Sequence, residues 1–176
     1  SRLDGPHPDL KPEDSATLTP EKLGHMGKKG RIRGVVRKPT RSYSVSFWFR
    51  NDVKSDTVNL TAYLFSFANR TRHEGKGDHY GISGNYRGGE PGKLFIFPGS
   101  KDVPSVRGTK DVPELTWNHL VLVRDGKRVR VQFNGTEPLE IDEDIEPSIE
   151  GVREFTLGAR SDKMFSLQGN LTEFAY

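Results

Sequence analysis

Apolar and polar residues alternate along several short stretches of the chain. From Tyr43 to Arg50, aromatic and aliphatic side chains recur at every second position, and Ser44, Ser46 and Trp48 fill the positions between them. Successive side chains of an extended strand point to opposite faces of its sheet, so a period of two predicts a strand. We predict a strand here with one apolar face and one more polar face.

A second pattern predicts a β-hairpin. Two alternating runs, Leu120–Arg124 and Val129–Phe133, flank the pair Asp125-Gly126, and Asn134-Gly135 follows the second run. Both pairs tolerate the positive φ angles that tight turns require. A sheet with one apolar face must cover that face, and a second sheet does so in a β-sandwich.

Similar runs recur along the rest of the chain, and in the first of them Tyr63, Phe65 and Phe67 fall on one face. The other predicted strands are Leu60–Asn69, His79–Tyr86, Lys93–Pro98, Glu154–Ala159 and Leu167–Tyr176. Short strands separated by turn-rich loops are typical of a sandwich or jelly roll. The predicted fold is all-β: a two-sheet antiparallel β-sandwich of the jelly-roll type.

The N-terminal part of the chain follows a different pattern. Residues 1–18 are rich in proline and charge, which predicts an extended arm. Thr19-Pro20 offers a helix cap followed by proline at the first helical position, and this predicts one short helical turn. We assign residues 19–176 to a single domain.

Composition limits the classes of protein to which the chain can belong. Only 32% of the 176 residues are hydrophobic, and aromatic residues supply 10% of the chain for the core. The absence of cysteine excludes disulfides and thiolate metal sites. No apolar run approaches the length of a membrane span, so we predict no membrane insertion. The chain begins at Ser1, and we expect it to be a segment of a longer polypeptide.

The net charge of +3 hides a local excess of cations. Between Lys28 and Arg41 there are seven basic residues and no acid, and the acidic stretch Glu137–Glu150 balances them. This basic segment could bind an anionic glycan, with Arg31 and Arg33 as ligand groups. Alternatively, its charges protect a strand edge from pairing with another chain. No aromatic residue lies among the cations, so we predict no nucleic-acid binding.

Several of these motifs occur together in a known order. They are Tyr43–Arg50, Gly92–Phe97, Thr116–Val123, Phe133–Gly135, Phe155–Arg160 and Gly169–Tyr176. In this order they resemble a laminin-G-like module of the concanavalin A-like lectin/glucanase superfamily. The chain further resembles the version found in large secreted proteins of planctomycete-type bacteria. The resemblance implies a non-catalytic binding module, a calcium ion in many members, neighbouring domains in a longer chain and an extracytoplasmic location.

The same superfamily contains glucanases, so the acidic segment is a candidate catalytic site. Glucanases place carboxylates on alternate residues of one strand, where one acts as nucleophile and another as general acid. Glu140-Ile141-Asp142 begins in this way, but Asp144 or Ile145 stands where the last glutamate is required. Pro138 favours an edge strand at this place. We therefore predict that the chain is not an enzyme.

Calcium binding requires oxygen ligands supplied by loops. The resemblance implies that Asp78 is a calcium ligand, because calcium-binding laminin-G modules carry an aspartate just before the corresponding strand. Asp162 and Asn170, in later loops, are the proposed further ligands. The alternative is that Asp78 only caps a turn.

Glycan binding requires an exposed aromatic side chain beside groups that can recognise hydroxyls. Tyr80, Asn85, Tyr86 and Arg87 provide both kinds of group in one stretch of sequence. Trp48 and Trp117 lie within or beside apolar strands, and we predict that both pack in the core, with His119 in a structural role.

The predicted function is recognition of a polysaccharide or other glycan, within a larger exported bacterial protein. Two alternatives remain at this stage. The chain could be a structural or protein-interaction domain without a glycan site, or it could bind anionic glycans through the basic segment Lys28–Arg41.

Overall fold

The computed structural model describes residues 24–26, 31–38, 40–69, 76–86, 89–99, 103–146, 149–162 and 165–176. Within these ranges the chain forms twelve strands: β1 (Gly24–Met26), β2 (Ile32–Val35), β3 (Ser42–Asn51), β4 (Leu60–Ala68), β5 (Gly77–Ser83), β6 (Lys93–Phe97), β7 (Val106–Asp111), β8 (Trp117–Asp125), β9 (Arg128–Phe133), β10 (Ile141–Asp144), β11 (Glu154–Leu157) and β12 (Gly169–Ala175). The helical element described is one 3₁₀ turn, Ser55–Thr57. The predicted arm 1–18 and the predicted helical turn at Thr19 lie outside the described residues.

The strands form two six-stranded antiparallel sheets. The first sheet has the order β1-β12-β3-β8-β9-β10, and the second has the order β2-β11-β4-β5-β6-β7. The predicted hairpin is confirmed as β8 and β9, with Leu122 opposite Val131 and with Gly126 at a φ of 56° in the turn. The all-β sandwich predicted from the alternation is therefore confirmed.

The core lies between the two sheets, and β3 follows its predicted alternation. Its four apolar side chains, Tyr43, Val45, Phe47 and Phe49, are buried. In β4 the pairing register shifts between Tyr63 and Phe65. Phe65 belongs to the core, whereas Tyr63 contacts residues on the outer face of the second sheet. The prediction that Tyr63 shares a face with Phe65 and Phe67 was wrong because of this irregularity.

A buried ion pair connects the two sheets through the core. Arg124, on β8, donates from Nε to Asp78 Oδ2 (2.5 Å) and from Nη2 to Oδ1 (2.6 Å), and Asp78 lies on β5. Tyr43 donates its hydroxyl to Asp78 Oδ2 at 2.7 Å. Both charged side chains are fully buried. Such a pair must be hydrogen-bonded on all sides, since desolvation of the two charges is costly.

Glu140 makes a second link between the sheets, at their edges. It lies just before β10 in the first sheet, and its Oε1 accepts the backbone N–H groups of Thr109 (2.5 Å) and Lys110 (2.8 Å) on β7 of the second sheet. A Cβ atom at Gly108 would lie 2.2 Å from Glu140 Oε1. Glycine at 108 therefore leaves room for this carboxylate, which links the edge of the second sheet to the first.

No helix in the described part of the chain is long and apolar enough to span a membrane.

Candidate functional site

Two tryptophans lie on the outer face of the first sheet. Trp48, on β3, and Trp117, on β8, each keep 37% of their surface exposed. The prediction that both pack in the core was wrong. Trp48 follows the phase of Ser44 and Ser46, and these positions face away from the second sheet. The alternation contained this signal, because a large aromatic residue at a polar position points outward.

His119 extends the aromatic surface beside Trp48. The two residues are direct partners across β3 and β8, and their rings stack with centroids 4.9 Å apart and an interplanar angle of 29°. His119 Nε2 lies 2.9 Å from the Ser46 hydroxyl. Burial lowers the pKa of His119 below its usual value, and the nearby carboxylate of Glu173 partly offsets this shift. The imidazole is therefore uncharged at neutral pH.

Polar groups lie next to these rings. Arg50 is the cross-strand partner of Trp117. It donates to Asp52 through Nε (2.8 Å) and Nη2 (3.2 Å). Among the residues that the structure describes, neither Trp48 nor Trp117 has a hydrogen-bond acceptor for its indole N–H. Both indoles can therefore donate to a ligand.

We call Trp48, Trp117, His119, Arg50, Asp52 and Glu173 the tryptophan surface. It combines aromatic faces with donors and acceptors at their edges. Such a surface suits a ligand that has one apolar face and a rim of hydroxyl groups.

A family model described as the concanavalin A-like lectin/glucanases superfamily matches residues 28–176. The chain belongs to this superfamily. The match confirms the resemblance seen in the strand motifs. No curated protein is similar enough in sequence to count as a relative.

Solved structures show the same superfamily fold. Domain 4 of AbnA, a GH43 extracellular arabinanase from Geobacillus stearothermophilus, in complex with arabinotriose, is 19% identical with a TM-score of 0.59, covering 95% of this chain and 76% of that one. The CBM40 of the Ruminococcus gnavus IT-sialidase, bound to alpha2,3 sialyllactose, is 16% identical with a TM-score of 0.56, covering 77% and 74%. The heptameric SAP-like pentraxin from Limulus polyphemus is 15% identical with a TM-score of 0.54, covering 94% and 76%.

The residues predicted to bind a glycan lie elsewhere in the superfamily fold. Tyr80 is only 2% exposed and its hydroxyl lies 3.0 Å from that of Tyr43, so its prediction as an exposed platform was wrong. It points inward because it shares a face of β5 with buried Asp78. Asn85 is exposed, but its amide donates to the Asp56 carbonyl at 2.8 Å. Tyr86 is 57% exposed, in the loop after β5. Arg87 lies outside the described residues.

The three predicted calcium ligands do not form a site. Asp78 is held in the core by Arg124, and Asp162 accepts from Arg160 Nε (2.9 Å) and Nη2 (2.7 Å). Asn170 lies on β12, opposite Arg50, in the first sheet. In the part of the chain that the structure describes, no group of three or more His, Asp or Glu side chains could hold a metal ion. These residues do not fit calcium as a set, because arginine already neutralises both carboxylates.

Within the basic segment, Ile32–Val35 form β2, an edge strand of the second sheet. Arg33 is exposed on β2, opposite Thr156, and Arg31 immediately precedes the strand and is half-buried. Lys28 and Lys29 lie outside the described residues. The position of β2 at the edge agrees with the interpretation in which the charges protect a strand edge.

The acidic segment has the edge position expected from Pro138, since β10 is the last strand of the first sheet. Glu140 is buried and bound to backbone N–H groups, whereas Asp142 pairs with Arg128 at 2.7 Å on the outer face. The two carboxylates therefore do not face one another across a cleft.

Proposed function

We propose that the chain is a non-catalytic module that binds carbohydrate chains through the tryptophan surface. The observation that carries this proposal is the pair of exposed tryptophans, beside polar side chains, on the outer face of a lectin-type sheet. The apolar face of a sugar ring stacks on an indole, and the surrounding indole, guanidinium and carboxylate groups bind its hydroxyls. Two structures with this fold carry arabinotriose and sialyllactose, which supports a sugar ligand here.

The spacing of the two tryptophans favours a chain of sugars over a single ring. Trp48 and Trp117 are diagonal neighbours across β3 and β8. Diagonal positions in an antiparallel pair are about 7 to 8 Å apart. This separation allows two rings of one oligosaccharide to stack at the same time, so affinity rises with chain length.

The acidic groups of the tryptophan surface support the proposal of a non-catalytic module. Hydrolysis of a glycosidic bond requires two carboxyl groups flanking the bond, about 5 to 10 Å apart. On the tryptophan surface, Asp52 is bound to Arg50, and Glu173 is the second acidic group. The salt bridge engages both Asp52 carboxylate oxygens, which favours a role in binding over one in catalysis.

The wider setting is part of the same proposal. The module belongs to a larger exported bacterial protein, where it holds neighbouring domains against a polysaccharide outside the cytoplasm. Support comes from the sequence motifs and from the fold it shares with a domain of an extracellular arabinanase. Fractionation of the source cells, with an antibody against the module, tests this location.

A binding screen with matched variants tests the proposed function. Purified module is run through native gels containing single neutral or acidic polysaccharides, and retardation measures affinity. We expect at least one polysaccharide to retard the chain. Trp48→Ala should weaken that interaction about thirty-fold, the size of an interface hot spot. Trp117→Ala should do so to a similar extent.

Tyr86→Ala is the control, because Tyr86 is also an exposed aromatic residue but lies in the loop after β5 rather than on the first sheet. It should bind like the unmodified chain. Loss of binding in Tyr86→Ala alone would move the site to the loop after β5. Failure of every polysaccharide to bind would favour a structural or protein-interaction domain instead.

A further inference from the structure

We infer that the tryptophan surface selects uncharged sugar chains and that Glu173 is the residue that rejects acidic ones. This inference rests on the proposed function and goes further, because it names the chemical class of the ligand. It follows from the way that β12 presents Glu173 and from the charges around it.

An irregularity in β12 brings Glu173 to the surface. Thr172 pairs with Trp48 and Ala175 pairs with Ser46, so β12 contains one residue more than β3 over this interval. Glu173 has a φ of 52°, in the left-handed region. An extra residue of this kind is a β-bulge, and bulges re-aim side chains.

The bulge explains why Glu173 and Phe174 point as they do. In a regular strand Thr172 faces outward beside Trp48, so Glu173 would point into the core and Phe174 toward solvent. In the structure Phe174 is buried, with its ring 5.4 Å from that of Phe155, and Glu173 is exposed. The extra residue therefore keeps the carboxylate on the outer face.

In the part of the chain that the structure describes, no positive charge compensates this carboxylate. The Arg50 guanidinium is held by Asp52, so these two charges cancel locally. The His119 ring lies within electrostatic reach of Glu173 but is uncharged at neutral pH. Glu173 makes no hydrogen bond or ion pair with the residues that the structure describes. The surface therefore carries a net negative charge next to its aromatic rings.

A negative charge at this place discriminates between sugars. Hydroxyl groups of a neutral sugar can donate to the Glu173 carboxylate, whereas a uronic acid or sulfate is repelled by it. Two like charges a few ångströms apart near a protein surface lower affinity about ten-fold or more. The basic segment around Arg33, on the second sheet, has the opposite charge and would attract acidic glycans. The two surfaces therefore predict opposite preferences.

The test compares two forms of one polymer. The neutral polysaccharide that binds in the screen is used as it is, and after partial oxidation of its primary hydroxyls to carboxylates. Affinities for both forms are measured by calorimetry with the unmodified chain and with Glu173→Gln. We expect the unmodified chain to prefer the neutral form at least ten-fold. The variant should reduce this preference to about two-fold, because the uncharged amide no longer repels the carboxylates of the oxidised polymer.

Glu154→Gln is the matched control, because Glu154 is an exposed acid on β11 of the other sheet. It should retain the full preference. Raising the salt concentration should narrow the preference of the unmodified chain, since salt screens exposed charges. Thermal unfolding of each variant checks that the substitution leaves the fold intact.

The outcomes separate this inference from the proposed function. Binding that Trp48→Ala abolishes, with equal affinity for the neutral and acidic forms, overturns the role of Glu173 alone. An unchanged preference for the neutral polymer in Glu173→Gln would also overturn the role of Glu173 and leave the proposed function standing. Preference for the acidic form, lost in Arg33→Ala but not in Trp48→Ala, would assign binding to the basic segment and overturn both.

Discussion

The outer faces of the two sheets carry the same Arg-x-Asp motif in different surroundings. On the first sheet Arg50 and Asp52 remain partly exposed, with 36% and 24% of their side-chain surface accessible. On the second sheet Arg160 and Asp162 form a similar bidentate pair, but only 9% and 4% is accessible. The local sequence is alike, so the difference arises from what covers each face.

On the second sheet, Arg160 and Phe165, which lie between β11 and β12, cover the outward-facing Tyr63. The Arg160 guanidinium lies 5.5 Å from the centre of the Tyr63 ring and 5.4 Å from that of Phe165. Tyr63 is buried in this stack although it points away from the core. On the first sheet, Trp48 and Trp117 occupy corresponding outward positions and remain accessible. Aromatic residues outside a sheet thus stabilise the fold where they are covered, and can bind ligands where they are not.

The fully buried pair Asp78–Arg124 extends this comparison to a third environment, the core. Asp78→Ala should lower the free energy of unfolding by about 5 kcal/mol, because it leaves the Arg124 charge buried without a partner. Urea denaturation followed by tryptophan fluorescence measures the change. If the variant does not fold, Asp78→Asn provides a milder case with the same sign. A loss below about 1 kcal/mol would contradict the assignment of this pair to the core.

The two outer faces should respond differently to loss of an aromatic side chain. Tyr63→Ala, on the covered face, should lower the free energy of unfolding by about 4 kcal/mol, because a buried aromatic ring is removed. Trp48→Ala, on the open face, should cost about 1 kcal/mol and should act mainly on binding. Urea denaturation curves of the two variants, recorded under the same conditions, measure both free energies of unfolding. Equal losses would mean that Trp48 contributes to the fold as much as Tyr63 does.

The two Arg-x-Asp pairs provide a smaller test of the same difference. Asp162→Ala should cost about 3 kcal/mol, since Arg160 stays buried after its partner is removed. Asp52→Ala should cost less than about 1 kcal/mol, since water solvates the exposed Arg50. Urea denaturation of both variants in the same buffer gives the two losses in free energy of unfolding, and their ratio is compared. A larger loss for Asp52→Ala would reverse the comparison.

The smallest expected effect is the pH dependence of stability caused by His119, on the outer face of the first sheet. Burial lowers the pKa of His119 in the folded state relative to the unfolded chain, with Glu173 opposing part of the shift. As pH falls below about 6.5 the unfolded chain takes up a proton before the folded one does, so acid favours unfolding. The free energy of unfolding should therefore decrease from pH 7.5 to 5.5 by more in the unmodified chain than in His119→Gln. Identical pH profiles would exclude this contribution of His119.

Local alternation was enough to predict most of the sheet framework. The β8–β9 hairpin and the strand at Tyr43 show apolar residues at every second position, bounded by turn pairs. The same criterion missed β7, because Val106–Asp111 contains few apolar residues and buries only Gly108. Its pairing with β6 and its link to Glu140 depend on contacts that no local pattern contains.

The candidate site was harder to predict than the fold, for the same reason. Asp78 has the sequence context of a loop ligand, but its partner Arg124 lies 46 residues further along the chain. The prediction that Trp48 packs in the core rested on its place within an apolar strand, although its phase placed it with serines. The presentation of Glu173 depends on a bulge, which is visible only in the pairing of β12 with β3.

The carboxylate of Glu140 has a consequence for how the protein behaves at high concentration. An edge strand with unpaired N–H groups is a template on which a second copy can add a strand and begin to aggregate. At Thr109 and Lys110 these N–H groups are already bound by Glu140, so they are not available to an incoming strand. One side chain thus helps to keep separate copies apart, and Gly108 has to stay small to accommodate it.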